Sequence, residues 1–361
     1  MGKNAQPLRR LFPRFYGAFL PEFFARPAPP NRSASCAACP MLENGRSDRA
    51  AGFWFSPRTK CCTHCPTLPN YLVGAILSSR SGRLAAGRRR IRRVIGTRQG
   101  VTPRGLMPPL RHLLLLRRAP DLFGRSEDLR CRYYDAGAGS CTLAPFWHSV
   151  CRCWFCRYDE GEDGKAFWLE LRGYWADMER QLARYALSEL GWDPTQIVYP
   201  DLADAELTDE DMRRDRVSVA AHRALWGEWA GREEAFYKRA YCVVRGLDGA
   251  GYERLSGVTQ RVRLAAVKAR YERLASAKLP DRLKRNPGLL ADRAEDGSYV
   301  VAGYATYHPI RVSGRLYGLL RFFDGRTRTD RVLRAIARAT GERLSARLIL
   351  SLYRFRVLEE A

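Results

Sequence analysis

The chain has 361 residues, which is long enough for two or three domains with a substantial buried core. Its composition, 46% hydrophobic and 28% charged, is typical of a folded globular protein and excludes wholesale disorder. No apolar run reaches the roughly 18 residues that a membrane-spanning helix needs, so we expect a soluble, cytoplasmic protein with no membrane span.

Residues 1–35 are predicted to form an N-terminal arm. The segment is rich in arginines and apolar residues, as a targeting segment would be, but Pro13 and Pro21 interrupt its apolar runs. We expect the arm either to pack on the following domain or to stay mobile.

The positive charge and the cysteines are concentrated in the first half of the chain. The net charge is +24; residues 1–157 hold 27 Lys and Arg against 7 Asp and Glu, whereas the remainder holds 35 against 31. Ten of the eleven cysteines lie between Cys36 and Cys156, and only Cys242 lies outside. In a reducing compartment, clustered cysteines bind metal more often than they form disulfides. Residues 36–157 are therefore predicted to be a metal-binding domain.

The cysteines form two groups whose spacing suits metal ligation. The first is Cys36-x2-Cys39 followed by Cys61-Cys62-x2-Cys65, and the second is Cys131, Cys141, Cys151, Cys153 and Cys156. A two-residue turn between cysteines directs both thiolates at one point. Adjacent cysteines do not easily form a relaxed disulfide, but they can serve two neighbouring sites. The glycine-containing segment 135–140 is predicted to be a turn that sets the spacing of two ligands.

The sequence from Cys131 through Cys141 to Cys151-Arg152 resembles the YkgJ-type family of zinc- or iron-chelating cysteine-cluster proteins, and the resemblance extends over residues 36–156. It implies an iron–sulfur cluster, such as 4Fe–4S, or zinc, held by Cys36, Cys39, Cys61, Cys62, Cys131, Cys141, Cys151 and Cys156. Four further candidate ligands lie among these residues: Cys65, Cys153, His64 and His148. Aromatic residues flank both groups and are expected to exclude water from the site.

Residues 80–118 are predicted to be a basic helical insertion in this domain, after a short buried helix or strand at residues 69–77. The densest basic run consists of Arg88, Arg89, Arg90, Arg92 and Arg93. Such a run can be a solvated face, can offset the charge of metal-bound thiolates, or can contact nucleic-acid phosphates. The alternative function is therefore a zinc-stabilised nucleic-acid-binding protein that uses these five arginines.

The middle of the chain, residues 165–280, is predicted to be helical. Apolar residues at three- and four-residue steps indicate a helix over residues 165–191 that ends at Gly191, and helices are also expected at 212–245 and 258–277. The acidic stretch 201–211 is expected to be an exposed connection, and residues 280–297 a linker. His222 and Cys242 are interpreted as structural residues.

Residues 297–361 are predicted to form a small domain with two β segments, 299–307 and 309–312, and three helical segments. Residues 323–327 are expected to be a turn, with Thr327 and Asp330 as a capping box and Ser345 as the cap of the last helix. This order resembles the small winged-helix domains of the PqqD-like type. The resemblance implies a protein or peptide partner.

The fold class is therefore predicted to be mainly α (α+β): an irregular cysteine-rich module, a helical middle region and a winged-helix-like end. The predicted function is metal binding, with a role in redox chemistry or in protein or peptide modification. Paired carboxylates, a phosphate loop and a hydrolase nucleophile motif are not found in the sequence, so the sequence leaves open whether the chain is an enzyme.

Overall fold

The computed structural model describes residues 6–31, 36, 39–42, 54–194 and 218–361. It has the predicted mainly α (α+β) fold, with small antiparallel sheets beside the helices. The acidic stretch 201–211 and residues 212–217 of a predicted helix lie outside the described residues. Among the helices of the described ranges, none has the length and hydropathy of a membrane span.

Residues 6–31 pack into the core as three short 3-10 helices, Leu8–Leu11, Arg14–Ala18 and Glu22–Ala25. The ring of Phe12 stacks on that of Trp175 at a centroid distance of 4.1 Å. The hydroxyl groups of Tyr16 and Tyr71 lie 2.6 Å apart in the interior. The N-terminal segment therefore belongs to the same hydrophobic core as the helices that follow.

The cysteine-bearing region is built from short elements joined by turns. Its helices are α1 (Asn70–Ser78), α2 (Ala85–Thr97), α3 (Leu110–Arg118) and α4 (Ser149–Cys153). One antiparallel sheet has the order β1-β3-β2, formed by Leu68–Pro69, Gly105–Leu106 and Val101–Thr102. Strands β4 (Tyr134–Asp135) and β5 (Ser140–Cys141) form a hairpin, as expected for the turn at 135–140.

Within the described residues, four helices form the middle of the molecule: α5 (Gly161–Glu189), α6 (Val219–Trp226), α7 (Glu233–Arg245) and α8 (Gly249–Ala275). The helix predicted at 165–191 is confirmed, and Gly191 follows it at φ 79°. The helix predicted over 212–245 is wrong as one element, because Gly227 and Gly231 adopt positive φ angles between α6 and α7. Helix α8 begins earlier than expected and is kinked at Gly257.

The C-terminal region has its own hydrophobic core, which includes Leu283, Ile336 and Ile349. Its strands are β6 (Arg282–Arg285), β7 (Leu290–Arg293), β8 (Tyr299–Ala302), β9 (Ile310–Val312), β10 (Asp324–Arg328) and β11 (Leu358–Glu360). Its helices are α9 (Gly314–Leu319), α10 (Thr329–Thr340) and α11 (Ala346–Arg354). The strands form two antiparallel sheets, β10-β6-β11 and β7-β8-β9.

Two expectations for this region are wrong. The segment predicted as a linker, 280–297, contains β6 and β7, because β6 pairs with strands that follow much later in the chain. The predicted turn at 323–327 contains most of β10, and α10 begins after Arg328 without a side-chain cap. The cap at Ser345 is confirmed, since its Oγ accepts a hydrogen bond from the Leu348 N–H at 3.2 Å.

Ion pairs join the C-terminal region to the start of α5. The buried carboxylate of Asp163 lies 3.2 Å from Arg273 Nε and 3.5 Å from an Arg356 guanidinium nitrogen. Arg354 pairs with Glu160 in the same place. These contacts bring the 303–308 loop near the cysteine-bearing region, where Tyr307 packs beside Cys156.

Candidate metal centre

The loop that carries Cys61, Cys62 and Cys65 is held by hydrogen bonds to its surroundings. Thr59 Oγ1 donates to the carbonyl of Gly124 at 2.9 Å, and Thr63 Oγ1 accepts the N–H of the same glycine at 2.6 Å. The Cys65 N–H donates to Nε2 of His112 at 3.2 Å. The positions of these three cysteines are thus set by contacts from residues 112 and 124.

The two cysteine groups meet at this loop. The Cys131 N–H donates to the carbonyl of Cys62 at 2.7 Å. Lys60, which adopts φ 50°, donates from Nζ to the carbonyls of Cys36 at 2.6 Å and Gly139 at 3.0 Å. Lys60 therefore ties the first CxxC segment to the β4–β5 hairpin and places one positive charge beside the sulfurs.

A buried carboxylate fixes helix α4, which carries Cys151 and Cys153. Glu179 of α5, 2% exposed, accepts hydrogen bonds from Ser149 Oγ at 2.7 Å and from the Ser149 N–H at 3.2 Å. It also lies 2.9 Å from His148 Nε2. The other ring nitrogen of His148 accepts the Val150 N–H at 3.3 Å. Because both nitrogens of His148 have partners, this candidate ligand serves as a helix cap.

Nine cysteines lie close enough for their charges to act on one another: Cys36, Cys39, Cys61, Cys62, Cys65, Cys131, Cys141, Cys151 and Cys156. We call this set the thiol cluster. It contains all eight cysteines of the implied ligand set, together with Cys65.

The other candidates are not members of the thiol cluster, although His64 lies between Cys62 and Cys65 in the sequence and Cys153 lies two residues from Cys151 on α4. The charges that act on the buried Cys153 come from Arg152, Glu179 and Arg172. The pKa of His64 is lowered by burial and then by His148 and Arg172. Cys242 is exposed on α7.

Two pairs of thiols within the cluster influence each other most strongly. The neighbouring Cys62 thiol lowers the pKa of Cys61, and the pKa of Cys62 is raised in turn. Cys131 and Cys65 form the same arrangement, with the pKa lowered at Cys65. Lys60 lies beside the first pair and Arg132 beside the second, so each pair has a nearby cation that favours one thiolate.

Burial keeps most of the other sulfurs protonated. It raises the pKa of Cys36, Cys39 and Cys141, and that of Cys156 to about 12. Cys151 is exposed to solvent in part, but the protein atoms packed around its thiol raise the pKa of that thiol. The neighbouring sulfurs raise it further. A metal ion that binds these sulfurs must therefore displace their protons, because only the thiolate form is a good metal ligand.

A backbone N–H points at one of the sulfurs: the Leu143 N–H lies 3.4 Å from Cys141 Sγ, and the nearby Trp147 side chain also lowers the pKa of this thiol. The Leu42 N–H donates to the Cys39 carbonyl oxygen at 3.4 Å, and the backbone of Met41 and Leu42 lowers the pKa of the Cys39 thiol against the effect of burial. An N–H donor to a sulfur favours its thiolate form, so the donor chemistry suits a thiolate-bound metal. Within the described ranges, however, no three His, Cys, Asp or Glu side chains already have the arrangement of a metal site.

Sequence reasoning missed His112 as a residue that shapes the site. Burial lowers the pKa of His112 to about 4, so its ring is neutral and Nε2 can accept the Cys65 N–H. No spacing motif connects His112 to the cysteines, and its role depends on a contact between residues far apart in the chain.

The basic run lies on α2, and three of its five arginines are bonded within the protein. Arg88 donates to the carbonyls of Ser79 and Ser81, Arg90 to that of Arg132, and Arg92 pairs with Glu234 at 3.0 Å. Arg89 and Arg93, one helical turn apart, are exposed.

No protein-family model, curated protein or solved structure matches this chain. The two resemblances therefore stay predictions, and the arguments below depend on the residues of this chain alone.

Proposed function

We propose that this protein binds a metal centre through the cysteine thiolates of the thiol cluster. The observation that carries the proposal is that nine cysteines from separate segments between residues 36 and 156 lie near enough to influence one another's pKa, whereas Cys242 is exposed on α7. Burial and neighbouring sulfurs raise the pKa of thiols such as Cys151 and Cys156, so without a metal this arrangement opposes formation of thiolates. A bound cation supplies the reason for bringing them together.

An iron–sulfur cluster is the group that we propose, with zinc as the alternative. Both accept ligation by sulfur alone. The N–H donor to Cys141, and aromatic neighbours such as Tyr134 and Trp147, are features that adjust the potential of a cluster. Bound iron–sulfur would supply electron transfer or support modification of a protein or peptide. The chain's own residues position the sulfurs and limit access of water.

Two buried cysteines provide a matched test of this proposal. Cys65 belongs to the thiol cluster and Cys153 does not, although both are buried. We expect Cys65→Ser to lose metal, as Cys141→Ser and Cys151→Ser should, whereas Cys153→Ser and Cys242→Ser keep it. Metal content per chain would be measured on each purified variant. Equal metal in the Cys65 and Cys153 variants would contradict the proposed ligand set.

The raised thiol pKa values give the proposal a pH dependence. Metal binding must displace protons from sulfurs whose pKa lies above the ordinary range, so affinity should fall as the pH is lowered. We expect a chelator to remove the metal more readily at pH 6 than at pH 8. An affinity that does not change with pH would show that thiolates are not the ligands.

A second candidate function is nucleic-acid binding through α2, which the exposed Arg89 and Arg93 favour. Phosphate contacts release counterions, so binding would weaken steeply as salt rises. Arg89→Ala combined with Arg93→Ala should reduce both affinity and the salt slope. Arg88→Ala is the matched control, because Arg88 is bonded to backbone carbonyls. Equal affinities in both variants would remove this candidate.

A further inference from the structure

A mostly apolar pocket of about 170 Å³ lies beside the thiol cluster. Four aromatic residues line it together with Met41 and Cys156: Phe55, Phe123, Trp154 and Tyr307. Tyr307 comes from the C-terminal region, so the pocket is formed where that region meets the cysteine-bearing region. The pocket is mostly apolar, whereas the thiol cluster offers sulfur donors, and Cys156 belongs to both.

The aromatic wall is built from edge-to-face ring contacts. The rings of Phe55 and Phe123 are edge-to-face at 5.6 Å, and those of Phe123 and Trp154 are edge-to-face at 5.4 Å. Gly124 permits this arrangement at φ 76°, because a Cβ there would lie 2.1 Å from the Phe55 ring. The N–H of Gly124 is fixed by Thr63. The pocket is thus supported by the same hydrogen bonds that hold the cysteine loop.

We propose that this pocket binds a small molecule with a single aromatic ring. An apolar cavity of about 150 Å³ is large enough to hold benzene, and the pocket has about 170 Å³. A ring placed here would continue the edge-to-face array and would meet the thioether of Met41, both favourable contacts for an aromatic group.

The mouth of the pocket adds a polar requirement. Asp121 and Arg125 line the pocket and are exposed, so a substituent that points outward would remain among charged groups and water. The ligand class that fits is therefore a one-ring aromatic compound with one polar substituent. It would touch Cys156 on one side and Tyr307 on the other. The inference depends on the side chains that line the pocket, and it does not require the thiol cluster to bind a metal.

The test uses the full chain and 4-fluorobenzyl alcohol as the probe. We expect saturable broadening of the probe's ¹⁹F signal, with a dissociation constant of about 1 mM or tighter. The indole N–H signal of Trp154 should shift with the same constant, while that of Trp226, which is buried elsewhere in the core, should not. Absence of saturation, or equal shifts at both tryptophans, would overturn the proposal.

A filling variant and its control complete the test. Tyr307→Trp introduces a larger side chain that fills part of the pocket, so it should weaken binding of the probe at least about tenfold. Tyr317→Trp makes the same change at a residue that stacks on Tyr299 outside the pocket, and it should leave binding unchanged. Equal binding by the two variants would place the probe elsewhere. Metal content is measured on the same samples, so that the result for the pocket can be judged separately from the result for the metal centre.

Discussion

Replacing Glu179 with alanine should be among the most destabilising single changes in this protein. The carboxylate accepts two hydrogen bonds from Ser149 and lies 2.9 Å from His148 Nε2, and it is 2% exposed. Its removal leaves buried donors without partners at the start of α4. Breaking a buried polar arrangement of this kind costs about 3–5 kcal/mol.

The assay is thermal unfolding followed by circular dichroism. One kcal/mol shifts the melting temperature by about 2–4 °C in a unit of 150–250 residues, so a loss of about 4 kcal/mol should lower it by about 8–16 °C. Glu170→Ala is the control on the same helix: Glu170 is 29% exposed and its contact with Arg263 is 4.0 Å long. Its loss should cost less than about 1 kcal/mol. The reasoning would be refuted if the two variants melted within about 2 °C of each other.

Two further predictions concern packing and pH. A Cβ at Gly74 of α1 would lie 1.9 Å from the carbonyl oxygen of Tyr237, so Gly74→Ala should lower the free energy of unfolding in urea by about 3 kcal/mol. Gly318→Ala in α9 is the control, because a Cβ there meets nothing within 4 Å and should not destabilise the protein. Similar losses in both variants would contradict this packing. Burial lowers the pKa of His308 from 6.5 to about 4, so the neutral ring contributes stability that is present above pH 6.5 and is lost as the pH falls towards 4. The advantage of wild type over His308→Gln should shrink by about 3 kcal/mol between pH 7 and pH 4, and a constant difference would show that the ring is not held neutral.

Local periodicity was sufficient to predict the longest helix. Trp168, Leu171 and Trp175 recur at helical spacing, and they are buried on one face of α5. The cap at Ser345 was equally local, because the bond joins residues three apart. These two local features could therefore be read from the sequence, whereas the capping box expected at Thr327 and Asp330 is wrong because residues 324–328 pair as a strand.

Strands β6 and β7 could not be predicted in this way. Strand β6 has the sequence Arg-Leu-Lys-Arg, and only Leu283 is buried, so it shows no alternation that a sequence pattern could reveal. Its partners are β10 and β11, which follow about 40 and 75 residues later along the chain. Pairing of this kind is decided by the whole fold.

The candidate site could likewise be predicted only in part from the sequence. The resemblance implies eight cysteine ligands, and these stay predictions; neither the resemblance nor the spacing distinguishes Cys65 from Cys153, because both are extra to the family pattern. His112 and Glu179 were missed as supporting residues because each acts on a cysteine-bearing segment from a distant position in the sequence. Lys60 directly precedes Cys61, but its bonds to Cys36 and Gly139 join segments that are far apart in the chain.

The visible absorption spectrum of anaerobically purified protein, with iron, zinc and sulfide assayed on the same sample, tests the central claim most directly. We expect a brown protein with a broad band near ~400 nm and matching amounts of iron and sulfide. A colourless protein with stoichiometric zinc would replace the iron–sulfur cluster with the zinc alternative while retaining the thiolate site. Protein that binds neither metal, with all cysteines reduced, would contradict the proposed metal centre.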